Sequence, residues 1–208
     1  MNWINLVEFE VPSGIPHSQW DHVIAAAHQV PGREFRLRFD GLEADKLTVI
    51  SLQLSSASYP FGAGGYYEDG FSMFHNGENG LIYPDASPKV GVKDTSYHLP
   101  LPGGEGFQLT PDLGEFSGAN WTKLGARGEA RFRGGQYVSG QLLRARCSVR
   151  ASKGEWAFGS PNHRLVHLNT EGHWAGQGAI TGIRVTARTR GASAANLIYG
   201  RLALDVLA

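Results

Sequence analysis

The chain has 208 residues, with 19 lysines plus arginines against 19 aspartates plus glutamates; the formal net charge of zero leaves no global basic field to gather nucleic acid or an anionic membrane. A single cysteine, Cys147, excludes an intrachain disulfide and a cysteine-based zinc site, so packing must hold the fold. The start MNWINLVEFEV lacks the basic and apolar regions of a secretory signal, no apolar run nears the roughly 20 residues that span a bilayer, and 28 glycines, about twice the usual share, point to many tight turns.

In chain order, the first strand candidate is Leu6 to Val11. Trp20, Val23, Ile24 and Ala27 then fall at helical spacing after Pro16, although the same residues also fit a strand. From Arg33 to Phe39 the pattern is clear: Phe35, Leu37 and Phe39 alternate with Glu34, Arg36 and Arg38, and a period of two places each set on one face of a sheet. Leu47 to Leu54 and Gly70 to Phe74 are weaker strands, separated by the glycine-rich turn from Phe61 to Gly65 and followed by the turn from Asn76 to Gly80. Long loops are expected around 59–124, above all from Tyr83 to Asp112, which is rich in Pro, Gly, Asp and Ser and shows little periodicity.

Glu129 to Arg133 and Arg164 to Leu168 are further strand candidates. Between them, Leu143, Ala145, Cys147 and Val149 alternate with Arg144, Arg146, Ser148 and Arg150, so Cys147 is expected to be a buried, unreactive small hydrophobe. Thr181, Ile183 and Val185 alternate with Gly182, Arg184 and Thr186, and Leu202, Leu204 and Val206 alternate with Arg201, Ala203 and Asp205. Many short strands with glycine punctuation predict an all-β, antiparallel β-sandwich of jelly-roll type, formed as a single domain over residues 1–208.

Motifs for chemistry are sparse. There is no nucleophile elbow, phosphate loop or dinucleotide fingerprint. His163 and His167 have helix-type metal spacing but lie in strand-like sequence, where four residues span about 13 Å, too far to share one ion. Adjacent Glu68 and Asp69 point to opposite faces of a strand and make no preformed acid pair. Arg127, Arg131, Arg133, Arg144, Arg146 and Arg150 cluster in sequence, and so do Arg184, Arg188 and Arg190; each group reads as a solvated polar face or a local patch on one sheet. Tyr66, Tyr67, Trp121, Trp156 and Trp174 lie near glycine- or asparagine-bearing segments, where aromatic rings either plug the ends of a core or stack on sugars.

Two ends of the chain together resemble jelly-roll virion structural proteins of tailed bacteriophages, a family of head-decoration, fibre and tail-associated components. Ile15 to Val23, with its Trp20-Asp21 pair, and Arg33 to Phe39 are similar to the family's opening strands; Ala179 to Val185 and Gly200 to Leu204 are similar to its closing hairpin. The region from Tyr59 to Leu124 departs from the family. The resemblance makes Trp20 to Ala27 a strand and implies a non-enzymatic virion component, assembled in the host cytoplasm, that stabilises the particle or mediates attachment. It implies other capsid or tail proteins as partners, a homo-oligomer such as a trimer, and no cofactor, metal, nucleic acid or membrane insertion. Two other classes stay open: a carbohydrate-binding module that contacts a host-surface glycan through an aromatic groove, and a polysaccharide-cleaving enzyme with converging carboxylates.

Overall fold

The computed structural model describes residues 2–12, 15–44, 49–62, 66–76, 90–93, 106–110, 121–133, 141–153, 163–188 and 194–208; side chains at 49, 66–76, 90–93, 121–125, 141–153, 163–171, 173, 188 and 194 lie outside the description. The fold is all-β, with two antiparallel sheets. The larger sheet has the order β1 (Trp3–Val11), β13 (Leu197–Leu207), β3 (Glu34–Ala44), β8 (Trp121–Arg133), β9 (Gln141–Lys153), β10 (His163–Trp174), β5 (Tyr66–Asn76) and β6 (Val90–Lys93). In the smaller sheet β11 (Ile180–Arg188) pairs with β4 (Val49–Ser56), which pairs with β7 (Phe107–Gln108). The other edge of β11 carries β2 (Gln19–Val23) and then β12 (Ala194–Ala195).

Alternation explains both sheets. Phe35, Leu37 and Phe39 on β3 lie opposite Val206, Leu204 and Leu202 on β13, and all six are buried. Across the core Ile50, Leu52 and Leu54 on β4 lie opposite Ala187, Val185 and Ile183 on β11. These residues form one apolar cluster, in which Phe35 stacks on Phe132 with ring centroids 5.7 Å apart. Burying one such large side chain contributes about 2 kcal/mol relative to leaving it in water.

The inward set does not keep one parity along β3. It passes from Phe39 to Leu42 and Ala44, and the register shifts there against both neighbouring strands. Gly41 takes φ +66° and Gly200, on β13, φ +118°. A Cβ on Gly200 would stand 2.7 Å from the Leu42 Cα, so the paired bulge closes only with glycine at that position.

Other expectations are met in part or corrected. Residues 20–27 resolve into the end of strand β2 and a 3-10 turn at Ala26–His28. Trp20 and Ile24 are buried, but Val23 is 78% exposed, where a helix would have turned it inward with them; pairing with β11 satisfies the β2 backbone instead. The loop expected from Tyr83 to Asp112 contains β6 and β7, and Phe107 and Leu109 are fully buried. Leu109 N–H donates to Ile50 O at 2.8 Å, a pairing set by β4 and invisible in the local composition. His163 and His167 do lie on a strand, whereas the side chain of Cys147, on β9, is outside the described residues.

Candidate functional site

The outward positions of the larger sheet form continuous cross-strand rows, because directly opposed residues share a face. One row runs Asn5, Asp205, Arg36, Arg131, Arg144, Glu171 and Asp69 across seven strands. The next carries Arg38, Glu129, Arg146 and Asn169. The arginines clustered in the sequence between 127 and 150 therefore meet on β8 and β9, joined by Arg36 and Arg38 from β3. Those two, Asp205 and Trp3 were not part of the sequence cluster. The strict alternation of Arg33 to Phe39 and of the C-terminal strand placed Arg36, Arg38 and Asp205 outward, but the pairing of distant strands was needed to bring them together.

Asp205 anchors this face. Its side chain is 2% exposed and accepts from Arg38 Nε at 2.7 Å and Nη2 at 3.0 Å, from Arg36 Nε at 2.9 Å and from Asn5 Nδ2 at 3.1 Å. Burial alone pushes its carboxyl upward, yet the bonds from Arg38, Arg36 and Asn5 outweigh this and hold it below the ordinary aspartate value. The Arg38 guanidinium is correspondingly raised, first by its bond to Asp205. Arg36 lies 4.5 Å from the centre of the Trp3 ring and Arg131 5.7 Å, so the indole is engaged by cations. Towards the edges of the face, Arg131 Nε binds Glu129 at 3.1 Å, Arg127 Nε binds Asp40 at 2.6 Å and Arg133 pairs with Glu34 at 3.4 Å.

The five aromatic candidates are not gathered into one site. Trp174 is fully buried, edge-on to Tyr59 at 5.5 Å, with Gly176 so close that any Cβ there would strike the indole; it plugs the core. Tyr66 and Tyr67 are known by backbone position, opposite Trp174 and His173. Trp121 pairs with Lys153, whereas Trp174 pairs with Gln141, so the two lie at opposite ends of β9, about 40 Å apart at some 3.3 Å per residue. Trp156 lies outside the described residues.

A different aromatic series joins the edges of the two sheets. Phe9 stacks on Trp20 at 5.8 Å, Trp20 on His22 at 6.1 Å, and His17 meets Phe9 edge-on at 5.5 Å. Burial lowers the pKa of His22. On the outer side of the smaller sheet Asp21 clamps Arg184 through two bonds of 2.8 Å, beneath the Phe61 ring at 4.5 Å. Among the described residues no three His, Cys, Asp or Glu side chains converge as metal ligands.

Compared with models of known protein families, with curated proteins and with solved structures, the chain matches none.

Proposed function

We propose that this chain is a non-enzymatic structural component of a bacteriophage particle, a capsid decoration or fibre/tail-associated protein that works by surface contact. The observation that carries the reading is the spatial meeting of the segments that resemble that family. Ile15 to Val23 and Ala179 to Val185, far apart in sequence, join as β2 and β11, with Trp20 opposite Val185 and Asp21 opposite Arg184. Arg33 to Phe39 and Gly200 to Leu204 join as β3 and β13, with Leu37 opposite Leu204. The four stretches that carry the resemblance thus make two strand pairs, one in each sheet, which supports the reading. The chain also crosses between the sheets from β1 to β2, β2 to β3, β3 to β4 and β4 to β5, which supports a jelly-roll type of winding.

A component of this kind gains attachment from many weak contacts summed over a symmetric assembly. The test is to locate the protein by electron microscopy of particles from the host that carries its gene, and to measure the mass of the purified chain in solution. A closed homo-oligomer that rebinds stripped particles at repeating sites, with or without chelator, supports the reading. A monomer that ignores particles but binds a host glycan, or depolymerises a polysaccharide, overturns it in favour of the carbohydrate-binding or enzymatic class.

A further inference from the structure

We propose that the free edge of β1 is a docking strand: a short extended polypeptide, apolar on one side and basic on the other, adds to the larger sheet there, whether or not the chain is a particle component. β1 ends the strand order of this sheet, and among the described residues it pairs only with β13. Alternate residues of such a strand turn N–H and C=O away from the sheet, which makes a template for one more strand. Bulges commonly blunt an edge of this kind. Here the register shift falls between Asn5 and Val7, and Val7 to Val11 pair regularly with Leu204 to Gly200, so the second half of the edge keeps its template.

The inner side of β1 continues the apolar layer past its cover. Leu204 and Leu202 on β13 are fully buried, whereas Val7 and Phe9, directly opposite them, are only half-buried. An added strand would set an apolar side chain about 5 Å from each and complete the layer.

The outer side of the same stretch carries Glu8 and Glu10, both exposed. Among the described residues no cation pairs with Glu8: Arg38, which feels its charge, turns its fork to Asp205 through Nε and Nη2. Glu10 reaches Arg201 only at 3.7 Å, with the two side chains 64% and 72% exposed.

These two carboxylates select the occupant. A residue opposite Glu8 or Glu10 on an added strand shares their face at about 5 Å, so Lys or Arg is favoured there and Asp or Glu is repelled. The same rule disfavours a second copy of β1. Antiparallel registers that pair more than one residue of Val7 to Val11 with itself, faces matched, set Glu8 against Glu8, Glu8 against Glu10 or Glu10 against Glu10. A partner strand with apolar residues facing Val7 and Phe9 and basic residues between them meets no such conflict.

The experiment uses the full chain and a fluorescein-labelled, end-capped heptapeptide of alternating Lys and Val, read by anisotropy. Binding is expected, and N-methylation of alternate backbone amides, which keeps every side chain but blocks strand pairing, should weaken it at least about tenfold. The double variant E8Q/E10Q should weaken it about fivefold, whereas E34Q/E129Q, which removes the same charge from β3 and β8, should leave it within about twofold. Thermal unfolding checks that both variants fold; if E8Q/E10Q does not, Glu8→Lys replaces it and should turn the preference towards a Glu and Val peptide. No binding, equal binding of the N-methylated or the Glu and Val peptide, or equal weakening by E34Q/E129Q overturns the proposal. A wild-type dimer in sedimentation that the Lys and Val peptide dissociates puts a second copy on this edge, and overturns the basic partner.

Discussion

The two sheets turn different mixtures of polar residues away from their shared core. On the larger sheet the described outward residues include exposed charges, Arg127 and Asp40 at 76% and 57%, and the one deeply covered carboxylate among the described residues, Asp205, has two arginines and an amide on it. On the smaller sheet four outward residues are neutral and buried, Ser51, Gln53, Gln108 and Thr186, and the described outward charges Arg184 and Asp21 are paired with each other. The chemistry follows the solvation. A charge carries a large desolvation penalty unless it is paired, whereas a hydroxyl or amide needs only a hydrogen bond. Thus the part of the smaller sheet around β4 and β7 is covered, whereas described charges of the larger sheet meet water as well as one another.

Removing the anchor of the charged face is the strongest way to break this contrast. Asp205→Ala takes the carboxylate from Arg36, Arg38 and Asn5, and should cost about 3 kcal/mol in chemical denaturation, at the low end for a broken buried pair because both arginines can reach water. Asp205→Asn keeps the shape and part of the hydrogen bonding, and should cost less. The same group sets a pH dependence. Its folded pKa is depressed, so its contribution is fully present above the unfolded value of about 3.9 and is lost as pH falls through the lower folded value. Wild-type stability should therefore decline below about pH 4 more steeply than that of Asp205→Asn, and parallel declines would show that Asp205 is not the titrating anchor.

How much of this was readable beforehand depends on whether the cause was local. The strands around Phe35, Ile183 and Leu204 announce themselves by alternation, and all three side chains are fully buried. Three features were not legible because their causes lie in distant strands. The bulge at Gly41 and Gly200 reverses the inward parity of β3 and β13 and depends on the two strands lying side by side. Phe107 and Leu109 occur in a stretch with the composition of a loop, and only the edge of β4 makes them structured. The polar residues of β4 and β11 look solvent-facing by alternation, yet Ser51 and Gln53 are each 1% exposed. The arginine face was half legible: the cluster from Arg127 to Arg150 stood out, but its extension through Arg36 and Arg38 to Asp205 needed the order β13-β3-β8-β9.

The covered polar face makes a second, smaller prediction. The Ser51 and Thr186 hydroxyls lie 3.0 Å apart, buried on neighbouring strands. Ser51→Ala removes one member of the pair and should cost about 1 to 2 kcal/mol, because Thr186 loses that bond where water does not replace it. Adding Thr186→Val, which substitutes a methyl for the remaining hydroxyl, should recover part of the loss, giving a coupling of about 1 kcal/mol in a double-mutant cycle. Strict additivity would mean that the two hydroxyls do not depend on each other, and the smaller sheet's outer side would then behave like an ordinary wet surface.

The smallest effect is expected at the exposed edge of the charged face, and it sharpens the comparison by separating ion pairs that differ in burial. Arg127 and Asp40 pair at 2.6 Å, but with both side chains more than half exposed the attraction is screened and offset by side-chain entropy. Arg127→Ala should change stability by no more than about 0.5 kcal/mol. Arg184 makes a two-bond contact with Asp21 at 2.8 Å, its side chain is 25% exposed, and its guanidinium lies against Phe61. Arg184→Ala should therefore cost more, about 1 to 1.5 kcal/mol. Denaturation at low and high salt distinguishes the pairs further, since added salt should erase what little Arg127 contributes while much of the Arg184 effect persists through the Phe61 contact. Equal costs at both sites would mean that burial does not grade these pairs, and Asp205 would then lose its standing as the anchor of the larger face.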